Sequence, residues 1–365
     1  MTATIADLIS HLDRAIPFAW AEPWDRVGLL AGDPGRSLTR AYVTLDATPS
    51  ALHRARAAGA SVLLTHHPAF LEPFDRLTWR GRGADVALEA LEAGVALVAC
   101  HTNLDRAPEG AGALAAVLGL DVVGPVERGL QQVAQIVVFA PSDAAERVRR
   151  AMATAGAGRI GEYEGCAFVE AGRGWFTPLA GARPVDGSLP GTGADERRIE
   201  VVCSLEIEAS VISAARAAHP YDEPVILSSR VGLSRGAARM GRLGRPTGPT
   251  DVRGLATLVG ERLDVRCTVW GDPDRTVASI AVAQGSGRSL VADALDAGAD
   301  TFVTGELRYH EALEAVHAGL AVIEAGHDAT EWPLVPLLAR IARGVEGLAE
   351  DAVVVDERAH NWWTT

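Results

Sequence analysis

The sequence has little cysteine and no long apolar run. Its four cysteines are widely spaced and form no CxxC pair, so we interpret them as reduced residues in or near the core; they are Cys100, Cys166, Cys203 and Cys267. No apolar run approaches the ~20 residues that a helix needs to cross a bilayer. The N-terminal stretch contains Asp7 and Asp13 and lacks the continuous apolar region of a signal peptide. These absences predict a cytoplasmic protein that does not associate with membranes.

Basic residues are also fewer than acidic ones. The chain has 34 basic and 47 acidic residues, which gives a net charge of -13 and a pI near 5.3. This balance argues against a general nucleic-acid-binding protein, which usually carries a basic face. What the sequence does have is a hydrophobic content of 48%, enough for a packed core, and 365 residues, enough for two or three domains.

Three short polar strings each follow an apolar run that predicts a buried strand. The strings are Thr65-His66-His67-Pro68, His101 to Asp105 and Gly326-His327 to Glu331; the runs are Ser61 to Leu64, Val95 to Cys100 and Ala321 to Ala325. Ligands of open α/β sheets gather beyond the carboxyl ends of strands, so we expect the strings to share one rim. Pro68 keeps His67 extended. The two neighbouring imidazoles then point in different directions, which suits two different ions.

Imidazoles and carboxylates without thiols are typical of sites for divalent first-row metal ions. Five candidate ligands exceed what one tetrahedral zinc ion needs, which favours two ions. In our hypothesis His66 and His327 hold one ion, His67 and Asp105 hold the other, and Glu331 bridges both. These ligands do not distinguish zinc, iron, manganese, cobalt and nickel. The alternative is that the adjacent histidines are ordinary polar residues of a loop.

Several other residues have less specific signals. We interpret His101 and Glu306 as candidate catalytic residues that transfer protons or support the metal ligands, and His310 and His317 as ordinary helix residues. Trp24 is predicted to lie in the core. The loop Gln284 to Ser289 either cradles a phosphate or carboxylate with its backbone N–H groups or forms a plain tight turn.

The pattern of strands and helices repeats along the chain. Residues 58–65 resemble residues 297–304, and residues 93–98 resemble residues 318–323, although chance similarity between α/β units is an alternative. We predict an α/β protein in which two related halves, residues 1–124 and 236–365, form one discontinuous metal-binding domain. Residues 125–235 follow the order strand-helix-strand twice, which predicts an inserted ferredoxin-like α+β domain. Within it, His219-Pro220-Tyr221 either brings an imidazole and a phenol to a cavity or forms a rigid turn.

Jointly these motifs resemble the NGG-one-interacting-factor-three-like family, dinuclear-metal-centre proteins often named GTP cyclohydrolase 1 type 2 homologs. The resemblance covers nearly the whole chain and is carried by Trp24 to Leu29, Leu45 to Thr48, the three strings, Thr304-Gly305-Glu306, Gly158 to Tyr163 and His219 to Glu223. It implies that the metal ligands are His66, His67, Asp105, His327 and Glu331. It also implies a homohexameric toroid capped by the inserted domain. Arg26 and Asp328 depart from the family pattern of Asn and an aromatic residue, which affects the polarity of the pocket.

Two functions fit these features. One is a metal-dependent hydrolase that acts on a nucleotide or other small phosphorylated or heterocyclic substrate through a metal-bridging hydroxide. Ring opening of GTP is the version that the family name suggests. The other is a non-enzymatic hexameric assembly for metal handling or regulation, favoured by the lack of a dedicated base-recognition motif.

Overall fold

The structure is a computed structural model that describes residues 3–72, 74, 84–160, 163–177, 179, 193–234 and 236–358. The chain divides into two compact units, Met1–Arg128 with Gly236–Thr365, and Gly129–Arg235. Residues 161 and 162 of the Gly158 to Tyr163 motif lie outside the described residues. None of the helices in the described ranges has the length and apolar character needed to span a membrane.

The first segment of the larger unit alternates strands and helices. Its strands are β1 (Gly28–Ala31), β2 (Ala41–Thr44), β3 (Val62–Thr65), β4 (Ala96–Ala99) and β5 (Asp121–Pro125); its helices are α1 (Ile5–Ala15), α2 (Pro49–Ala57), α3 (Ala84–Ala93), α4 (Thr102–Arg106) and α5 (Pro108–Leu118), with a 3₁₀ turn at Phe18–Trp20. Helix α1 begins with a reciprocal cap, because the Thr4 hydroxyl accepts from the Asp7 N–H and the Asp7 carboxylate accepts from the Thr4 N–H.

The smaller unit is a four-stranded sheet with two helices on one face. Its elements are β6 (Leu130–Pro141), α6 (Ala145–Thr154), β7 (Phe168–Trp175), β8 (Gly193–Cys203), a 3₁₀ turn (Leu205–Ile207), α7 (Glu208–Ala218) and β9 (Ile226–Ser234). The strand order is β7-β8-β6-β9 with every neighbouring pair antiparallel. His219 Nε2 donates to the Phe139 carbonyl at 2.8 Å and His219 Nδ1 accepts from the Tyr221 N–H at 3.0 Å. Both ring nitrogens are therefore used within this unit, which favours the rigid-turn interpretation.

The last segment returns to the larger unit. Its strands are β10 (Arg242–Arg245), β11 (Thr250–Asp251), β12 (Thr268–Trp270), β13 (Thr276–Val277), β14 (Ile280–Val282), β15 (Thr301–Thr304), β16 (Ala321–Glu324) and β17 (Val353–Val355); its helices are α8 (Val252–Leu263), α9 (Val291–Asp296), α10 (Tyr309–His317), α11 (His327–Glu331) and α12 (Leu334–Ala342), with 3₁₀ turns at Arg288–Leu290 and Glu350–Ala352. The Asp251 carboxylate accepts from the Gly254 N–H and so begins α8.

Two sheets organise the larger unit. One has the order β1-β4-β3-β2-β17 and the other β12-β16-β15-β14-β10-β5. Strands β2, β3 and β4 are parallel and are joined by α2 and α3, and β14, β15 and β16 are parallel and joined by α9 and α10. The fold is thus mixed α/β, as predicted. The expectation of a single rim was wrong, because the first two strings follow β3 and β4 whereas the third follows β16 in the other sheet.

Both faces of the five-stranded sheet are buried, which explains the continuous apolar runs. Leu64 packs into a cluster with residues of α1 and α12, and its neighbour Leu63 packs on the opposite face with residues of α2 and α3. Strand β15 of the second sheet is also buried on both faces, since its neighbouring residues Val303 and Phe302 belong to two different hydrophobic clusters. Helices on both faces leave the ends of the strands as the place where polar side chains can gather.

A buried carboxylate, paired with a partly exposed arginine, holds the end of β17 against the sheet. Asp356 is 5% exposed, and its carboxylate accepts hydrogen bonds from Tyr42 Oη at 2.6 Å and Thr44 Oγ1 at 3.0 Å. Arg54 Nε and Nη2 donate to the same carboxylate at 2.9 and 2.6 Å. Burial raises the pKa of Asp356, but the Arg54, Tyr42 and Thr44 hydrogen bonds outweigh it and lower the pKa below its ordinary value.

We predict that Asp356→Ala lowers the free energy of unfolding by about 2 to 3 kcal/mol, because four donor groups on three side chains lose their acceptor while Arg54 is partly solvated. Tyr42→Phe, which removes one hydrogen bond, should cost about 1 kcal/mol. The folded pKa lies below the unfolded value of about 3.9, so the contribution of Asp356 is present above that pH and is lost as the pH falls through the folded pKa. Urea unfolding at a fixed protein concentration measures the free energy of unfolding of each variant at each pH. Equal stability of Asp356→Ala and the unaltered protein at pH 7 would contradict it.

Candidate metal centre

The side chains of the three strings meet within the larger unit. The His66 and His67 N–H groups continue the ladder beyond β3 by donating to the Thr44 and Leu45 carbonyls at 3.3 and 2.8 Å. Asp105 lies on α4, which begins directly after His101. His327 and Glu331 are the first and last residues of the single-turn helix α11, so their four-residue spacing places them on one face. Each predicted string therefore contributes side chains to one cluster.

Glu331 lies at the middle of this cluster. Its Oε1 is 3.1 Å from His327 Nε2 and 3.7 Å from His66 Nε2. Its Oε2 is 2.9 Å from His67 Nε2, without the geometry of a hydrogen bond. The two carboxylate oxygens thus face different imidazoles, and the residue as a whole is only 4% exposed.

The cluster includes the remaining predicted residues. Asp105 Oδ1 lies 3.8 Å from His66 Nε2. One ligand atom from each of His66, His67 and His101 lies within 4.8 Å of the others, and the same holds for His67, His327 and Glu331. In contrast, His310 packs edge-on against Tyr309 and, like His317, belongs to neither group.

In each of the four clustered histidines Nδ1 faces an acceptor. The acceptors are the Cys100 carbonyl for His66 at 3.0 Å, Asp46 for His67 at 2.8 Å, Asp25 for His101 at 2.8 Å and Glu306 for His327 at 3.1 Å. A carbonyl or carboxylate oxygen can only accept, so Nδ1 donates in every case. Nε2 is then the nitrogen that is left for the cluster, which is the usual arrangement of metal-binding histidines.

The sequence interpretation missed two of these acceptors. Asp25 and Asp46 stand in the strings Trp24-Asp25 and Leu45-Asp46, which carried the family resemblance but suggested no role. Asp25 accepts from His101, from the Arg26 N–H at 2.7 Å, and from the Thr102 N–H and hydroxyl at 3.0 and 2.5 Å. Burial raises the pKa of Asp25, but the hydrogen bonds from His101 and Thr102 outweigh it and lower the pKa to about 2.

The electrostatics of the cluster favour cations. Burial opposes protonation of His67, but the hydrogen bond with Asp46 and the nearby Glu331 carboxylate raise its pKa to about 10. The bond to Glu331 raises the pKa of His327 to about 9 against the effect of burial. Burial raises the pKa of Glu331, and the surrounding imidazoles lower it well below its ordinary value. A cluster that favours positive charge in this way is suited to a metal cation, which would displace the protons on binding.

Three buried atoms of the cluster fit such a cation. Among the described residues, His66 Nε2, Asp105 Oδ1 and Glu331 Oε2 are buried and have no hydrogen-bond partner. Buried polar atoms are normally satisfied, so three unsatisfied atoms together suit a bound ion. An imidazole nitrogen, which is a ligand of intermediate softness, and two carboxylate oxygens are suitable donors for a first-row divalent ion.

Gly285 makes room for Glu331. It has a φ of +58°, and a Cβ at this position would lie 2.1 Å from Glu331 Oε1. The Gly285 N–H donates to Thr330 Oγ1 at 3.0 Å, and its carbonyl accepts from the Gly305 and Glu306 N–H groups at 2.9 and 3.2 Å. Its backbone groups are thus used internally, which favours a tight turn over a phosphate cradle at this residue.

A pocket of about 730 Å³ opens in front of the cluster and is lined by His67, His101, Asp105, His327 and Glu331 among others. Trp24 also lines this pocket and is 55% exposed, so its predicted place in the core was wrong. Arg26 Nε donates to the Leu71 carbonyl at 3.2 Å. Asp328 lines a separate small cavity with Asp46 and Trp332.

The family model described as Duf34/NIF3 (NGG1p interacting factor 3) matches residues 3–359. The chain belongs to this family. The GTP cyclohydrolase 1 type 2 homolog of Mycobacterium leprae is 36% identical over 375 residues, which cover 99% of this chain and 96% of the relative. That of Bacillus subtilis is 32% identical and covers 88% of this chain and 87% of the relative. The predicted family is thereby confirmed.

The fold also matches solved structures of the Duf34/NIF3 family. The crystal structure of a Bacillus cereus protein related to NIF3 superposes with a TM-score of 0.66 at 27% identity, covering 100% of this chain and 99% of that chain. A Staphylococcus aureus protein, SA1388, superposes with the same TM-score at 25% identity and the same coverage.

We predict that Gly285→Ala lowers the content of bound metal severely, because the new methyl group displaces the Glu331 carboxylate. Gly298→Ala is the matched control, since Gly298 has a φ of +79° and no atom within 4 Å of the added Cβ. Both changes carry the left-handed strain of about 1 to 2 kcal/mol, so stability falls in both. Elemental analysis after saturation with Co²⁺ should show the loss in Gly285→Ala alone. Equal metal content in the two variants would contradict the role given to Gly285.

Proposed function

We propose that this protein binds two divalent metal ions and hydrolyses a nucleotide or other small phosphorylated or heterocyclic substrate. The observation that carries the proposal is the buried Glu331 carboxylate, whose two oxygens face different imidazoles beside an open pocket. The relatives named GTP cyclohydrolase 1 type 2 homolog agree with a heterocyclic substrate.

Three of the ligands divide between the ions according to their distances from the two oxygens of Glu331. His66 and His327 lie on the Oε1 side of Glu331, and His67 lies on the Oε2 side. We assign His66 and His327 to one ion, His67 to the other, and Glu331 to both. Asp105 stays with His67 as in the sequence hypothesis, although its Oδ1 lies 3.8 Å from His66 Nε2. Two ions held in this way supply a water of lowered pKa and a Lewis acid for a carbonyl or phosphoryl oxygen.

His101 is suited to proton transfer in this reaction. Asp25 fixes its Nδ1 as a donor, so Nε2 is the nitrogen that faces the pocket. Asp25 is 8% exposed and accepts four hydrogen bonds, which prevents the imidazole from rotating. Glu306, whose side chain is 60% exposed, acts through His327, which it orients.

The larger architecture is part of the same proposal. The parallel triplets β2-β3-β4 and β14-β15-β16, each with two connecting helices, support two related halves of one metal-binding domain. The order β7-β8-β6-β9 with α6 and α7 on one face supports a ferredoxin-like module inserted between them. We retain the homohexameric toroid as an expectation for the assembly.

We predict that Glu331→Ala loses both ions, because neither half of the site is complete without the bridging carboxylate. Glu314→Ala, on the exposed side of α10, should keep both. Titration of metal-stripped protein with Co²⁺, followed by elemental analysis, counts the ions. A stoichiometry of two retained in Glu331→Ala would contradict the bridging role.

Measurement of turnover directly tests the proposed hydrolase activity. Metal-loaded protein should hydrolyse at least one member of a set of GTP, other nucleotides and small phosphoesters. His67→Ala should reduce the rate at least 100-fold, since it removes one of the few donors to an ion that activates water. His317→Ala, an exposed residue of α10, should leave the rate unchanged. The hydrolase proposal would be overturned if the protein binds two ions, exchanges them rapidly and reversibly, and turns over none of these compounds. That result would favour a metal-handling assembly.

A further inference from the structure

Trp24 occupies a position that packing does not explain. It lies just before β1, is 55% exposed, and presents its indole at the pocket in front of the metal cluster. Among the described residues, its ring approaches His101 edge-on, with centroids 6.0 Å apart. Exposed aromatic surface gains nothing from the hydrophobic effect, and beside a pocket it commonly marks a binding surface.

The lining of this pocket combines apolar and polar side chains. Besides Trp24, the apolar residues include Pro68, Leu71, Met240 and Leu290, and Leu71 is 44% exposed. The polar residues include the imidazoles and carboxylates around Glu331. The volume of about 730 Å³ is within the usual range for small-molecule sites. A flat molecule with an apolar face and a polar edge is complementary to both kinds of lining.

We propose that Trp24 is a stacking platform for the planar aromatic ring of the ligand, with the ring's polar edge turned toward the metal cluster. The ligand class is a nucleobase-like heterocycle. This inference rests on the proposed function for the cluster itself, but it concerns a residue that donates no ligand to a metal ion. Stacking of a base on an aromatic side chain is worth roughly 1 to 3 kcal/mol, or about 5-fold to 150-fold in affinity.

The experiment compares GMP with ribose 5-phosphate, which has the same phosphate and sugar but no ring. Equilibrium dialysis with Co²⁺-loaded protein measures binding of each probe without requiring turnover. The variants are Trp24→Leu and Trp24→Phe. The matched control is Trp175→Leu in the smaller unit, because Trp175 is 70% exposed and does not line this pocket. Bound metal and the mass of the assembly are measured on the same samples.

We expect GMP to bind the unaltered protein at least 10-fold more tightly than ribose 5-phosphate. Trp24→Leu should remove most of this preference and leave the affinity for ribose 5-phosphate unchanged. Trp24→Phe should keep part of the preference, and Trp175→Leu all of it. The result would identify the ring, and not the phosphate, as the group that Trp24 recognises.

Three results would overturn the proposal. They are equal or undetectable binding of GMP and ribose 5-phosphate, a GMP preference that survives in Trp24→Leu, and a change of assembly mass in Trp24→Leu, which would make Trp24 an interface residue. Fewer than two ions in the unaltered protein would instead overturn the proposed function. The two failures are therefore distinguishable in one set of samples.

Discussion

Glu331 holds a negative charge at a place that is 4% exposed to solvent, and the surrounding structure compensates for this. Removing an isolated carboxylate from water is very costly unless cations and hydrogen bonds replace its hydration. Three imidazoles, from His66, His67 and His327, surround it within 3.7 Å. The same arrangement that stabilises the carboxylate also collects nitrogen and oxygen donors around a space suited to metal ions.

The sheets supply the rigidity that such a cluster needs. His66 and His67 follow β3, His101 follows β4, and Glu306 and the α11 residues follow β15 and β16, so each side chain is placed by a buried strand. Hydrogen-bond acceptors behind the cluster then fix the orientation of the imidazole rings. Asp46 holds His67 and Asp25 holds His101 in this way. Supporting residues of this kind commonly affect metal affinity nearly as much as the ligands do.

The sequence predicted the strands and the clustering of His66, His67, Asp105, His327 and Glu331, because apolar runs followed by polar strings are local patterns. It did not predict that β3 and β16 lie in different sheets, since strand pairing is set by contacts distant in the chain. Trp24 was misplaced because a single aromatic side chain gives the same local pattern whether it faces a core or a pocket. Asp25 and Asp46 were overlooked as ring acceptors for the same reason: their partners are 76 and 21 residues away.

The most direct test of this account is anomalous diffraction from crystals of the Co²⁺-loaded protein. We expect two peaks about 3.5 to 4 Å apart, the spacing of ions that share a bridging ligand. One peak should lie beside Glu331 Oε1 with His66 and His327, and the other beside Oε2 with His67. A single peak, or peaks remote from Glu331, would contradict the claim that this carboxylate organises a two-ion centre.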